Sequence, residues 1–213
     1  MKKALIITSF IDGIEKLNNT QFLTSFEFCI AADGGYINAR RLGLTPDTII
    51  GDFDSAAIPD IDDSKLIKLP SEKDMTDSEA AIDLAVAKGY SNITVVGGLG
   101  GRFDHTMANL SLLAKYAGKL QHLAFFDAYN YVYMLTPGKY TIHKQIQDID
   151  YKYLGVHSFS KLTSGIHIKG CKYPLADFSL SNDTTLGTSN EILNETAEIS
   201  FTKGQLIITH SCD

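Results

Sequence analysis

The chain has no Cys-x-x-Cys pair, no His-x-x-x-His pair and no Cys/His cluster. Its six histidines are scattered, so the sequence lacks the ligand spacing of a zinc site. Cys29, Cys171 and Cys212 are odd in number and far apart, which fits a reducing compartment better than a disulfide framework. Positive charge is short as well. Nineteen Lys and Arg face 25 Asp and Glu, for a net charge of -6 and a pI near 5.5. That balance argues against nucleic acid or an anionic membrane as partner. No segment approaches the roughly 18 to 20 apolar residues needed to cross a bilayer. Met1-Lys2-Lys3-Ala4-Leu5-Ile6-Ile7 opens like a secretion signal, but Thr8, Ser9 and Asp12 break the apolar run and no small-residue cleavage site follows. It reads as a buried first strand, and the expected location is cytoplasmic.

What is present is ordinary in bulk and unusual in pattern. The 213 residues are 44% apolar and 21% charged, enough for one large domain or two small ones with real cores. Short apolar runs at 4–7, 28–32, 48–50, 66–68, 93–96 and 123–126 read as strands. Between them, helices are expected at 14–25, 36–42, 77–88 and 106–116. The third has the clearest ends: Thr76 as cap, Glu79 three residues on, and Gly89 as stop. Strand–helix alternation predicts a mostly parallel sheet flanked by helices, of Rossmann-like α/β type, over residues 1–130. From 131 onward the runs at 131–135, 139–143, 153–156, 165–168, 198–201 and 205–210 are all strand-like. Turn signals separate them, and a small antiparallel β-sandwich is expected over 131–213.

The chemistry concentrates where parallel strands should end. Gly97-Gly98-Leu99-Gly100-Gly101-Arg102-Phe103-Asp104-His105 follows an apolar strand and precedes a helix. Four glycines in five residues let backbone amides come close to an anion, and Arg102 offers a planar charged fork for phosphate. No Gly-Lys-Ser/Thr follows, so this is not a Walker loop. Asp33, Asp52, Asp54, Asp74, Asp77 and Asp104 also fall after strands. So many carboxylates on one sheet edge would repel unless a cation lay among them, and Mg2+ bridged to substrate phosphates is the natural one. Simpler roles stand beside these: Asp74 and Asp77 can cap a helix, and Asp33 can form a turn with Gly34 and Gly35.

The ordered set resembles the thiamine pyrophosphokinase family. It comprises Ala32-Asp33-Gly34-Gly35; Pro46-Asp47 through Gly51-Asp52-Phe53-Asp54-Ser55; Lys73-Asp74-Met75-Thr76-Asp77 with Glu79; Gly97 through His105 with Asn109; and Gly187-Thr188-Ser189-Asn190-Glu191. The resemblance implies Mg2+-dependent transfer of pyrophosphate from ATP to the hydroxyethyl group of thiamine, giving thiamine diphosphate and AMP. It implies a homodimer with thiamine between the α/β domain of one subunit and the β domain of the other. By the same resemblance Asp52, Asp54 and Asp74 hold magnesium. Asp33, Gly34, Gly100, Gly101, Arg102, Asp104, His105 and Asn109 serve ATP, while Asp77, Ser189 and Asn190 serve thiamine. Asp77 or Asp74 could take the hydroxyl proton, or no separate base is needed. The chain departs from many relatives in the loop Thr8-Ser9-Phe10-Ile11-Asp12-Gly13, where they carry glycines. It has no tryptophan, so any ring stacked on thiamine is a Tyr or Phe.

Three rival readings remain at this level. Ile49-Ile50-Gly51-Asp52-Phe53-Asp54-Ser55 resembles the Asp-x-Asp nucleophile motif of haloacid-dehalogenase-type phosphatases, although Ala56 stands where they carry Thr or Val. A non-catalytic sensor of nucleotide or thiamine could use the same fold. A kinase making thiamine monophosphate and ADP would share the motifs too.

Overall fold

A computed structural model describes residues 2–17, 21–53, 65–70, 72, 74–146 and 149–213. The chain divides into two compact units, Met1–Leu112 with Leu120–Ala128, and Leu113–Lys119 with Tyr129–Asp213.

The first unit is built on six parallel strands: β1 (Lys3–Ile7), β2 (Phe28–Ala32), β3 (Thr48–Gly51), β4 (Leu66–Lys68), β5 (Asn92–Val96) and β6 (His122–Phe126). Their order is β6-β5-β1-β2-β3-β4. Helices α1 (Gly35–Arg41), α2 (Asp77–Ala87) and α3 (Phe103–Tyr116) follow β2, β4 and β5. β1, β5 and β6 are almost uninterrupted apolar runs because both faces of a parallel sheet are covered. The strand order reverses at β1, which pairs β2 on one side and β5 on the other. Such a switch point opens a crevice beyond the carboxyl ends of the strands.

The second unit has two antiparallel sheets and a short hairpin. One sheet is β11 (Tyr153–Ser158), β15 (Leu206–Ser211) and β7 (Asn130–Leu135). The other is β13 (Leu175–Ser181), β12 (Leu162–Lys169), β14 (Thr196–Phe201) and β8 (Gly138–His143). β9 (Gln145–Ile146) and β10 (Ile149–Asp150) form the hairpin. Alternate residues of each sheet interleave in one apolar core, with Leu154, Val156, Leu206 and Ile208 against Ile142, Ile166, Ile168 and Ile199.

The predicted helix over 14–25 is corrected. Ile14–Leu17 and Gln21–Thr24 are separate single turns of tighter 3-10 helix. Residues 18–20 lie outside the described residues; Asn and Thr are weak helix formers because such side chains can compete for backbone groups. α3 begins three residues before the predicted 106, so Asp104 and His105 sit in its first turn rather than in the loop. β13 was not predicted. Its pairing with β12 shifts register twice and Asp177 takes φ 48°, so no period-two apolar pattern reaches the sequence.

His210 on β15 is buried, with its ring 5.9 Å from that of Tyr133 and Nε2 3.4 Å from the Tyr133 hydroxyl. Burial pushes its pKa from 6.5 down to about 4. As pH falls below 6.5 the unfolded chain takes up this proton and the folded chain does not. Stability is therefore full above pH 6.5 and is lost progressively toward pH 4, by about 3 kcal/mol from this group alone. Urea midpoints at pH 7.5 and 4.5 should show this slope in the wild type and a flatter one in His210→Asn. Equal slopes would remove His210 from the account.

Candidate active site

The ladder that ends at β2 and β3 continues into the loops. The Asp33 amide donates to the Ile50 carbonyl at 2.7 Å, and the Leu69 amide to the Gly51 carbonyl at 2.8 Å. Gly51 is required here, because a Cβ would lie 2.9 Å from the Asp33 Cα. Asp33 and Phe53 adopt φ of 49° and 58°. Such conformations cost about 1–3 kcal/mol each and persist where packing over-determines them. Phe53 is held by Ala31 and Ile49, with Tyr36 and Leu66 alongside, and this fixes the neighbouring Asp52.

Beyond these strand ends lies a cavity of about 260 Å³ lined by Thr8, Ser9, Ala32, Asp33, Asp52, Met75, Thr76, Asp77, Ser78 and His105. Each parallel strand from β1 to β5 is followed by one of its lining residues. Thr76 caps α2 by accepting the Glu79 amide at 3.2 Å, which seats Asp77 in the first turn, where the helix dipole favours negative charge. Thr8 is fixed by hydrogen bonds from its hydroxyl to the carbonyls of Val96 and Phe10, both 3.0 Å. The buried Asn38 amide donates to the carbonyls of Thr8 and Ser9 at 3.0 and 2.9 Å.

Of the site residues expected from sequence, Asp33, Asp52, Asp77 and His105 meet at this cavity. Asp54 lies outside the described residues. Asp74 is exposed and not part of the lining, and neither are Gly34, Gly100, Gly101, Arg102, Asp104 and Asn109. Among the described residues no three His, Cys, Asp or Glu side chains form a ready-made metal cluster. Thr8, Ser9, Thr76 and Ser78 were not expected as cavity residues. The only signal was hydroxyl side chains directly after a strand or at a helix start.

The glycine loop does more packing than its sequence implies. The amides of Gly97, Gly98 and Gly100 donate within the unit, to Phe126 O at 2.7 Å, Phe10 O at 2.9 Å and the Thr106 hydroxyl at 3.0 Å. Gly98 has φ +76°, and a Cβ there would meet the Asn109 amide at 2.6 Å. Buried Asn109 donates to the Gly98 carbonyl at 2.7 Å and so shapes the loop. Arg102 grips Asp104 through two hydrogen bonds, Nη2–Oδ2 at 2.6 Å and Nε–Oδ1 at 3.3 Å, on the exposed surface. That bond, followed by the His105 amide, holds the Asp104 carboxyl below its ordinary range. The remaining guanidinium N–H groups point a permanent cation outward.

In the second unit, buried Asn190 accepts the amides of Tyr173 and Glu191, both at 2.9 Å, and donates to the Tyr173 carbonyl at 2.8 Å. One amide hydrogen is left over. The clamp presents Tyr173, whose residue is 57% exposed. Ser189, exposed beside it, takes φ 57°. Cys29 is chemically quiet, since burial and then Asp47 push its thiol pKa to about 12.

Comparison with known proteins adds an independent line. Residues 20–125 match the thiamin pyrophosphokinase catalytic domain, and residues 139–206 match the thiamin pyrophosphokinase vitamin B1 binding domain. Thiamine pyrophosphokinase of Bacillus subtilis strain 168 is 32% identical over 191 residues, covering 86% of this chain and 87% of that one. The crystal structure of the Bacillus subtilis enzyme superposes with a TM-score of 0.83 at 28% identity, covering 100% of both chains. That of a family protein from Enterococcus faecalis gives 0.84 at 25%, again covering 100% of both.

Proposed function

The chain belongs to the thiamin pyrophosphokinase family and transfers pyrophosphate from ATP to thiamine, and we propose that the cavity beyond β1–β5 is where the transfer occurs. The observation that carries this reading is the meeting of Asp33, Asp52, Asp77 and His105 at one switch-point crevice.

The donor set suits magnesium. Three carboxylates and four hydroxyls offer hard oxygen ligands and no thiolate. Asp52 and its neighbour Asp54 are the ligands of choice, with Asp33 or Asp74 completing the set. Magnesium would supply charge neutralisation and a template for the ATP oxygens. The chain's own groups do the rest. Ser9, Thr76 and Ser78 can donate hydrogen bonds to phosphate oxygens. Arg102, steadied by Asp104, would add positive charge toward the phosphates from the residue before α3. The thiamine hydroxyl attacks the β-phosphorus, AMP leaves, and the hydroxyl proton passes to a carboxylate, for which the cavity position favours Asp77 over Asp74.

Residues 1–130 then form the catalytic ATP-binding part and 131–213 the thiamine-binding part. Ser189, the spare Asn190 hydrogen and the clamped Tyr173 ring provide polar and stacking contacts for thiamine. Tyr173→Ala should raise the KM for thiamine about tenfold while leaving that for ATP unchanged; an unchanged thiamine KM would remove Tyr173 from the site. By the family resemblance the chain would act as a homodimer with thiamine at the interface, and exposed apolar residues of the second unit such as Leu162, Phe178 and Leu193 are available for such a contact. Three free cysteines support a cytoplasmic location. No described helix is long and apolar enough to cross a membrane.

The test is incubation with ATP, magnesium and thiamine, with products read by mass. Thiamine diphosphate with equimolar AMP is expected. Thiamine monophosphate with ADP would change the reaction assigned to the cavity.

A further inference from the structure

We infer that the ring of Phe10 is the shelf on which the purine base of ATP stacks. The inference rests on the cavity beyond β1–β5 being the phosphate-transfer site. At about 260 Å³ that cavity is smaller than the roughly 300–1,000 Å³ of pockets that enclose a whole nucleotide-sized ligand. Its walls are mainly carboxylates and hydroxyls, with no phenylalanine, tyrosine or tryptophan among them. Those walls suit phosphates and metal, and leave the flat apolar base to the rim.

Phe10 follows the lining residues Thr8 and Ser9 directly in the chain. Its backbone is pinned at the switch point. The Phe10 carbonyl accepts the Gly98 amide at 2.9 Å and the Thr8 hydroxyl at 3.0 Å. One side of the ring is packed on the glycine loop. A Cβ at Gly101 would lie 3.1 Å from its Cδ2, and one at Gly100 would lie 3.4 Å from its Cε1. Gly101 thus makes room for this ring, and Gly100 lies in ordinary contact with it. The residue nevertheless remains 45% exposed, so an apolar surface of the ring is held in water. A ring fixed on one side and open on the other is preorganised for stacking, and an aromatic shelf accepts a base without hydrogen-bond readout.

The test compares ATP with inorganic tripolyphosphate, each with magnesium, by titration calorimetry on the full chain. Phe10→Leu keeps apolar packing against the glycines and removes the aromatic face. It should weaken ATP binding about ten- to a hundredfold and leave tripolyphosphate unchanged. Phe10→Tyr should restore ATP affinity. Equal weakening of both ligands would mean the ring only props the loop, and would overturn the assignment. So would unchanged ATP affinity, or an ATP-specific loss in Phe103→Leu but not in Phe10→Leu. The underlying reading is checked separately, because Asp52→Asn should weaken tripolyphosphate itself. Undiminished binding there would sink the cavity assignment while leaving the Phe10 comparison legible.

Discussion

Asp52→Asn is expected to lower turnover about a thousandfold or more while the protein melts at the same temperature or slightly higher. Asp52 is fixed in the cavity by the strained, packed Phe53 beside it, so its oxygens are preorganised rather than recruited. Loss of the magnesium ligand proposed above would withdraw several kcal/mol of charge neutralisation from the transition state, and each 1.36 kcal/mol is tenfold in rate. Asp33, Asp52 and Asp77 line one small space, and neutralising one of three like charges relieves repulsion. Steady-state kinetics and a melting curve on the same preparation check both halves. Near-normal turnover would refute the role given to Asp52.

Phe125→Ala should destabilise the fold by about 3–5 kcal/mol, read as a shift in urea midpoint. Phe125 on β6 has no exposed surface. Its ring also backs the glycine loop, since a Cβ at Gly98 would lie 3.4 Å from its Cδ1 and Cε1. The void would open beneath Gly98 and Asn109, so ATP binding should weaken under conditions where the variant is still folded. A variant with wild-type stability would refute the packing role given to this ring.

Much of the fold was legible because its signals are local. α2 shows a capping threonine, an apolar side of Ala80, Ala81 and Ala85, and Gly89 at φ +85° as its stop, all visible as residue types. The parallel strands announce themselves as short apolar runs. What escaped were features set by distant partners. β13 has one buried residue, Leu180, because it lies at the end of its sheet and is bulged against β12. The carboxylates were legible as strand-end residues, but the cavity also needs Thr8 and Ser9, whose small side chains carry no pattern. Asn109 and Asn190 have a second role that their motifs do not show: their amides hold the backbone of Gly98 and Tyr173. The glycine loop reads as an amide cradle, yet three of its amides serve the protein itself. The phosphatase and sensor readings fall with the family match, which spans both units and carries the transferase activity.

The place of β1 in the sheet has a consequence for synthesis. The strand made first is an interior one, and Thr8 must wait for Val96, 88 positions later, before its hydrogen bond can form. While the ribosome extends the chain, one edge of Lys3–Ile7 stays open and apolar. Local turns can form early, but the crevice cannot exist until β5 has emerged and inserted beside β1. The nascent chain therefore passes through a long interval with an unpaired strand edge, in which it is most exposed to aggregation and most in need of a chaperone.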